Sequence, residues 1–70
     1  MDASPLTFTP RERQIAVLLL KGEKRASMAA TLSIHVKTVD FHLVNLRRKV
    51  RVQSMIELAV YCARLNGALR

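Results

Sequence analysis

The residues of this chain that can do chemistry are mostly cationic, and they are crowded into a few places. Arg47-Arg48-Lys49 with Arg51 just beyond puts four cations within five positions, and Lys24, Arg25 and Lys37 stand upstream. Such side chains bind anions: the planar fork of arginine matches phosphate oxygens, and lysine acts as a point charge. Twelve Lys and Arg against five Asp and Glu leave a formal charge of +7. That excess draws polyanions through release of their counterions, so nucleic acid is the first expected partner and an anionic membrane surface the second.

The rest of the inventory argues against other chemistries. His35 and His42 have no acidic or thiol partner at ligand spacing, and Cys62, the single cysteine, has no second thiol and no CxxC context. Paired carboxylates in reach, a nucleophile beside a base and a phosphate loop are all missing. The expectation is no enzyme, no cofactor and no metal. The apolar run Ile15 to Leu20 falls far short of the roughly 20 residues of a bilayer span, and no basic start precedes an apolar signal segment. No membrane partner and a cytoplasmic location follow as expectations.

Seventy residues, half of them hydrophobic, suit one small globular domain whose core only narrowly offsets chain entropy. Residues 1–8 contain Pro5 and no helical period, so they read as an arm or linker stub. Thr9-Pro10-Arg11-Glu12 combines an N-cap hydroxyl, a proline at the first helical position and a glutamate able to close a capping box. Ile15, Leu18 and Leu19 then recur at helical spacing until Gly22, predicting a first helix at about 10–21. Met28, Ala29 and Leu32 share one face of a short second helix, about 25–32, which ends in a turn at Ser33-Ile34.

Val39, Leu43, Leu46 and Val50 follow at steps of four, three and four, the single seam of a third helix at about 36–50. Its opposite face carries Lys37, Asp40, Asn45 and Arg48, with Phe41 and Val44 at the edge. Ser54-Met55-Ile56-Glu57 is a second capping box, opening a fourth helix at about 54–65 that Asn66-Gly67 stops. Met55, Leu58, Cys62 and Leu65 form one apolar stripe of that helix and Ile56, Val60 and Ala63 another. The second stripe faces another copy of the chain, or neighbouring helices embrace this one from two sides. The expected fold is an all-α four-helix bundle with a central helix-turn-helix, spanning residues 9–66 and followed by a tail at 67–70. A helix pair with a tight turn, the second helix basic outside, meets the geometric need for entering a major groove.

Phe8-Thr9-Pro10-Arg11-Glu12-Arg13-Gln14-Ile15 resembles the opening signature of the LuxR/GerE family of bacterial transcription regulators. Gly22, Met28-Ala29, Leu32, Ile34, Lys37-Thr38-Val39, His42-Leu43, Arg48-Lys49, Val52 and Glu57 fall, without a gap, where that family has the same or similar residues. The resemblance implies a four-helix domain in which the second and third helices form the helix-turn-helix and the fourth pairs two protomers, here through Ile56, Val60 and Ala63. Double-stranded DNA is the implied partner. Lys24, Arg25, Lys37, Thr38, His42, Arg48 and Arg51 would contact its backbone, and Asp40, Phe41, Val44 and Asn45 would meet base edges.

Departures from the pattern cluster on that surface. Where the family has a Ser-Asn cap followed by Glu, this chain has Lys24-Arg25-Ala26-Ser27, losing a cap worth about 1 kcal/mol. The two cations are either solvated or a phosphate clamp. His35 replaces a serine cap. The family often has lysine or another polar residue where Asp40 and Val44 stand. An aspartate can accept from cytosine N4, and apolar side chains can touch a thymine methyl. Alternatively, Asp40 simply favours its helix N-terminus while Phe41 and Val44 pack on a protein. Two functional readings follow: sequence-specific DNA binding as a transcription regulator, or an interaction module for another regulator or RNA polymerase.

Overall fold

The fold begins with a reciprocal cap at Thr9. Its Oγ1 accepts from the Glu12 amide at 3.1 Å while its own amide donates to the Glu12 carboxylate at 2.9 Å, satisfying two N–H groups that a helix start leaves orphaned. In the computed structural model, which describes residues 7–65, four helices follow: α1 (Pro10–Leu20), α2 (Arg25–Leu32), α3 (Val36–Val50) and α4 (Met55–Arg64). No strand occurs among the described residues, and the all-α expectation holds. Helix limits agree with the spacing to within one residue, Lys21, Ser54 and Leu65 being caps. The tail at 67–70 and positions 1–6 of the arm lie outside the described residues.

Three helices stop in the same way, with a left-handed residue whose neighbours return hydrogen bonds to the last turn. After α1 the residue is Gly22, at φ +79, with Glu23 N donating to Leu18 O at 3.1 Å. After α2 and α3 it is Ser33 and Arg51, at φ 56 and 58. A Cβ on Gly22 would meet nothing within 4 Å, so the cost of Gly22→Ala is conformational alone. The substitution is expected to destabilise the domain by about 1 kcal/mol, lowering the thermal midpoint by about 4–8 °C in a melting experiment.

α3 is the central element. Its inner seam, Val39, Leu43, Leu46 and Val50, is buried against all three other helices, and Ile15, Leu18, Met28, Leu58 and Cys62 complete the core. Phe8, at the end of the segment expected as an arm, is also buried there. Because three neighbours take one side of α3, its opposite side is left to solvent. No helix among the described residues is long and apolar enough to cross a membrane.

One charge is buried with its partner. The Glu12 side chain is only 4% exposed and receives Lys49 Nζ at 2.6 Å, while the same ammonium donates to the Thr7 carbonyl at 2.8 Å. Burial pushes the Glu12 carboxyl up, but the Lys49 hydrogen bond, the Thr9 amide and the charges of Lys49 and His42 outweigh it and hold it below its ordinary value. Lys49 is therefore not part of an outer basic surface, as its place in the run Arg47-Arg48-Lys49 suggests. Successive helical residues turn by about 100°, so the three cations point in three directions, and Lys49 points toward α1.

Candidate nucleic-acid interface

Helical spacing aligns Lys37, Phe41, Val44 and Arg48 along the side of α3 opposite its buried seam. Lys37 and Thr38 are exposed in the first turn, and Arg48 and Arg51 are exposed at the far end. Between them Phe41 is 62% exposed, placing it at the centre of this face rather than at its edge. Val44 and Asn45 are half-buried beside it. His42 is also half-buried, its ring edge-on to Phe41 with centroids 5.8 Å apart. The cations of the last turn, Arg47, Arg48 and Lys49, also lie at the negative end of the helix dipole.

The start of α2 adds a second basic point. Lys24 occupies the N-cap with no side-chain hydrogen bond to the helix, so the cap whose absence the sequence indicates is missing. The Ser27 hydroxyl donates instead to the Glu23 carboxylate. His35 likewise makes no cap bond to α3. Arg25 is not a free cation: its Nη1 donates to Asp40 Oδ1 at 2.6 Å, joining the first turn of α2 to the flank of α3. Arg47 stands on that same flank, two turns after Asp40, and the three residues line a shallow pocket of about 350 Å³ with Leu43, Val44 and Met55. The seven-residue step from Asp40 to Arg47 makes that alignment readable in the sequence. The Arg25–Asp40 contact depends on how two helices cross and has no local sequence mark. A separate apolar concavity of about 680 Å³, lined by residues of α1 and α2 with Phe8, includes none of these groups.

On α4 the inner stripe of Leu58 and Cys62 is buried, while Ile56 is 78% and Val60 48% exposed. Ala63 is exposed as well. Among the described residues the outer stripe is thus open, α1 and α3 both packing elsewhere on this helix. Tyr61 is half-buried at its border, lining a shallow depression with Val52, Ile56, Glu57, Val60 and Arg64.

The chain forms a helix-turn-helix whose second helix has one side open to solvent, preceded by a capped Thr-Pro helix start, and residues 6–62 match GerE, the luxR family of bacterial regulatory proteins. The chain belongs to the luxR family. Its relatives include the regulatory protein SdiA of Escherichia coli K12, 33% identical over 58 residues, which cover 83% of this chain and 24% of the relative. The transcriptional regulatory protein UhpA of the same organism is 43% identical over 52 residues, covering 74% of this chain and 26% of UhpA. The response regulator protein VraR of Staphylococcus aureus is 33% identical over 59 residues, covering 84% and 28%. This luxR-family chain thus spans about a quarter of the length of those relatives. No solved structure gives a significant match.

Proposed function

We propose that this domain binds double-stranded DNA as the DNA-reading part of a bacterial transcription regulator working in the cytoplasm, with α3 in the major groove and α2 bracing across the backbone. The observation that carries the reading is the division of α3, whose inner seam is buried on three helices while Lys37, Phe41 and Arg48 are exposed on the opposite side, with Val44 half-buried among them. In this reading Lys24, Lys37, Thr38, His42, Arg48 and Arg51 contact phosphates and set the register, and Phe41, Val44 and Asn45 meet base edges. No bond is made or broken. Two copies join through Ile56, Val60 and Ala63 of α4, whose apolar side chains are open to solvent in the single chain.

The test is the salt dependence of duplex binding. Lys24, Lys37, Arg48 and Arg51 supply the cations, and each neutralised phosphate contributes a slope of about −0.9 to log affinity against log salt. The expected slope is about −3 to −4 per domain, a loss of about 100-fold between about 50 and 200 mM salt. Undetectable or salt-insensitive binding to every duplex would overturn the proposal.

The exposed Phe41 favours a second reading, in which the same face binds another regulator or RNA polymerase. Phe41→Ala separates the two. Under the DNA reading it alters base preference beside the helix centre; under the protein reading it leaves duplex affinity unchanged and weakens capture of the polymerase.

A further inference from the structure

Asp40 is an unexpected residue for a groove-facing position, because a lone carboxylate there repels phosphate. It is not alone, however. Arg25 Nη1 is 2.6 Å from its Oδ1, and neither partner is buried, the side chains being 57% and 41% exposed. Two exposed side chains gain little stability from such a contact, whose usual worth is small. The contact instead determines where the guanidinium lies. Without Asp40, an arginine in the first turn of α2 would be free to extend toward the DNA backbone. With it, the guanidinium is drawn to Asp40 on the flank of α3, where the half-buried Val44 and Arg47 line the same pocket. A single bond through one terminal nitrogen leaves the remaining N–H donors of the fork unused by Asp40.

Resting on the DNA reading above, we propose that Arg25 is a base-reading residue of this domain and Asp40 its positioning residue: the carboxylate holds the guanidinium at the edge of the major groove, where it recognises a guanine. The chemistry that selects guanine is its paired O6 and N7 acceptors, which match the planar donor fork of arginine. The carboxylate offsets part of the positive charge, so the pair favours a phosphate less than a lone arginine would. Immobilising the side chain beforehand also lowers the ordering cost of binding. The recognition surface then spans both helices of the motif, with its polar specificity on the flank shared by α2 and α3 and its apolar contacts at Phe41 and Val44.

The experiment is selection from a randomised duplex pool at fixed salt, using the 70-residue chain and its variants Arg25→Met, Asp40→Asn and the two combined, followed by affinity measurements on single-base changes. The wild type is expected to select a G·C pair at one position of each half-site. Arg25→Met is expected to lose about 5- to 150-fold of discrimination at that position, leaving the other positions unchanged. Asp40→Asn should relax the same position. The combined variant, which leaves no lone carboxylate, should keep the loss.

Three results would overturn the proposal. If Arg25→Met weakens every sequence equally, Arg25 contacts phosphate. If Asp40→Asn alone moves the preference, Asp40 accepts directly from cytosine. If neither variant changes selection, the pair is only a brace between helices. In each of these the wild type still binds DNA with a steep salt slope, whereas failure of the DNA reading itself appears as a wild type that binds no duplex.

Discussion

Replacing Lys49 with methionine is expected to lower the thermal midpoint by about 10–20 °C. The reason is the state of Glu12. Its carboxylate is nearly inaccessible, and Lys49 is the cation that meets it. Removing one partner of a buried pair strands a charge, at about 3–5 kcal/mol. A third of the Lys49 side chain reaches solvent, so about 2–3 kcal/mol is the better figure here, and each kcal/mol moves the midpoint of a domain this size by about 4–8 °C. The variant also releases the Thr7 carbonyl from its ammonium. Adding Glu12→Gln should recover part of the loss, because no uncompensated charge is left; a double variant no more stable than Lys49→Met would contradict this account.

The same pair contributes to the acid limb of stability. The folded-state value of Glu12 lies below its ordinary 4.5. Its contribution is therefore fully present above that ordinary value and is lost as pH falls through the depressed one. The part of the wild type's thermal stability that depends on Glu12 should fall off in that acid window. In Lys49→Met the hydrogen bond and the charge that depress the value are gone while burial remains, so the acid loss attributable to Glu12 should shrink.

The second large effect is expected at α4. Ile56→Asp combined with Val60→Asp places charge on a stripe that the single chain leaves open, so the fold should persist while pairing of two copies fails. If the proposed dimer forms, sedimentation should show the variant as a monomer at concentrations where the wild type is paired. Affinity for a duplex carrying two half-sites should fall by about 10²- to 10⁴-fold, the usual gain from linking two binding events, with affinity for one half-site little changed. Unchanged mass and unchanged two-site affinity would remove α4 as the pairing surface.

What the sequence reveals about this domain is what depends on neighbours in the chain. The Thr9 and Ser54 caps, the Gly22 stop and the Val39–Leu43–Leu46–Val50 seam each involve residues a few positions apart, so periodicity and capping chemistry locate them. The two ion pairs do not. Arg25 with Asp40 and Glu12 with Lys49 are separated by 15 and 37 positions, and only the crossing of helices brings them together. Lys49 is misleading for a related reason: a run of adjacent cations looks like one surface, but a helix distributes it around its axis. Phe8 lies just before the first cap, outside any periodic pattern, and the local mark of its burial is its place as the apolar residue preceding a capping box.

The placement of Tyr61 has an optical consequence. The chain has one tyrosine and no tryptophan, so ultraviolet-excited protein emission comes chiefly from a single phenol ring. That ring lines the depression beside Ile56 and Val60, where a second copy would change its surroundings. Association through α4 can therefore be followed by the intensity of native tyrosine emission on dilution, without an attached label, while the solvent-facing side of α3 carries neither tyrosine nor tryptophan.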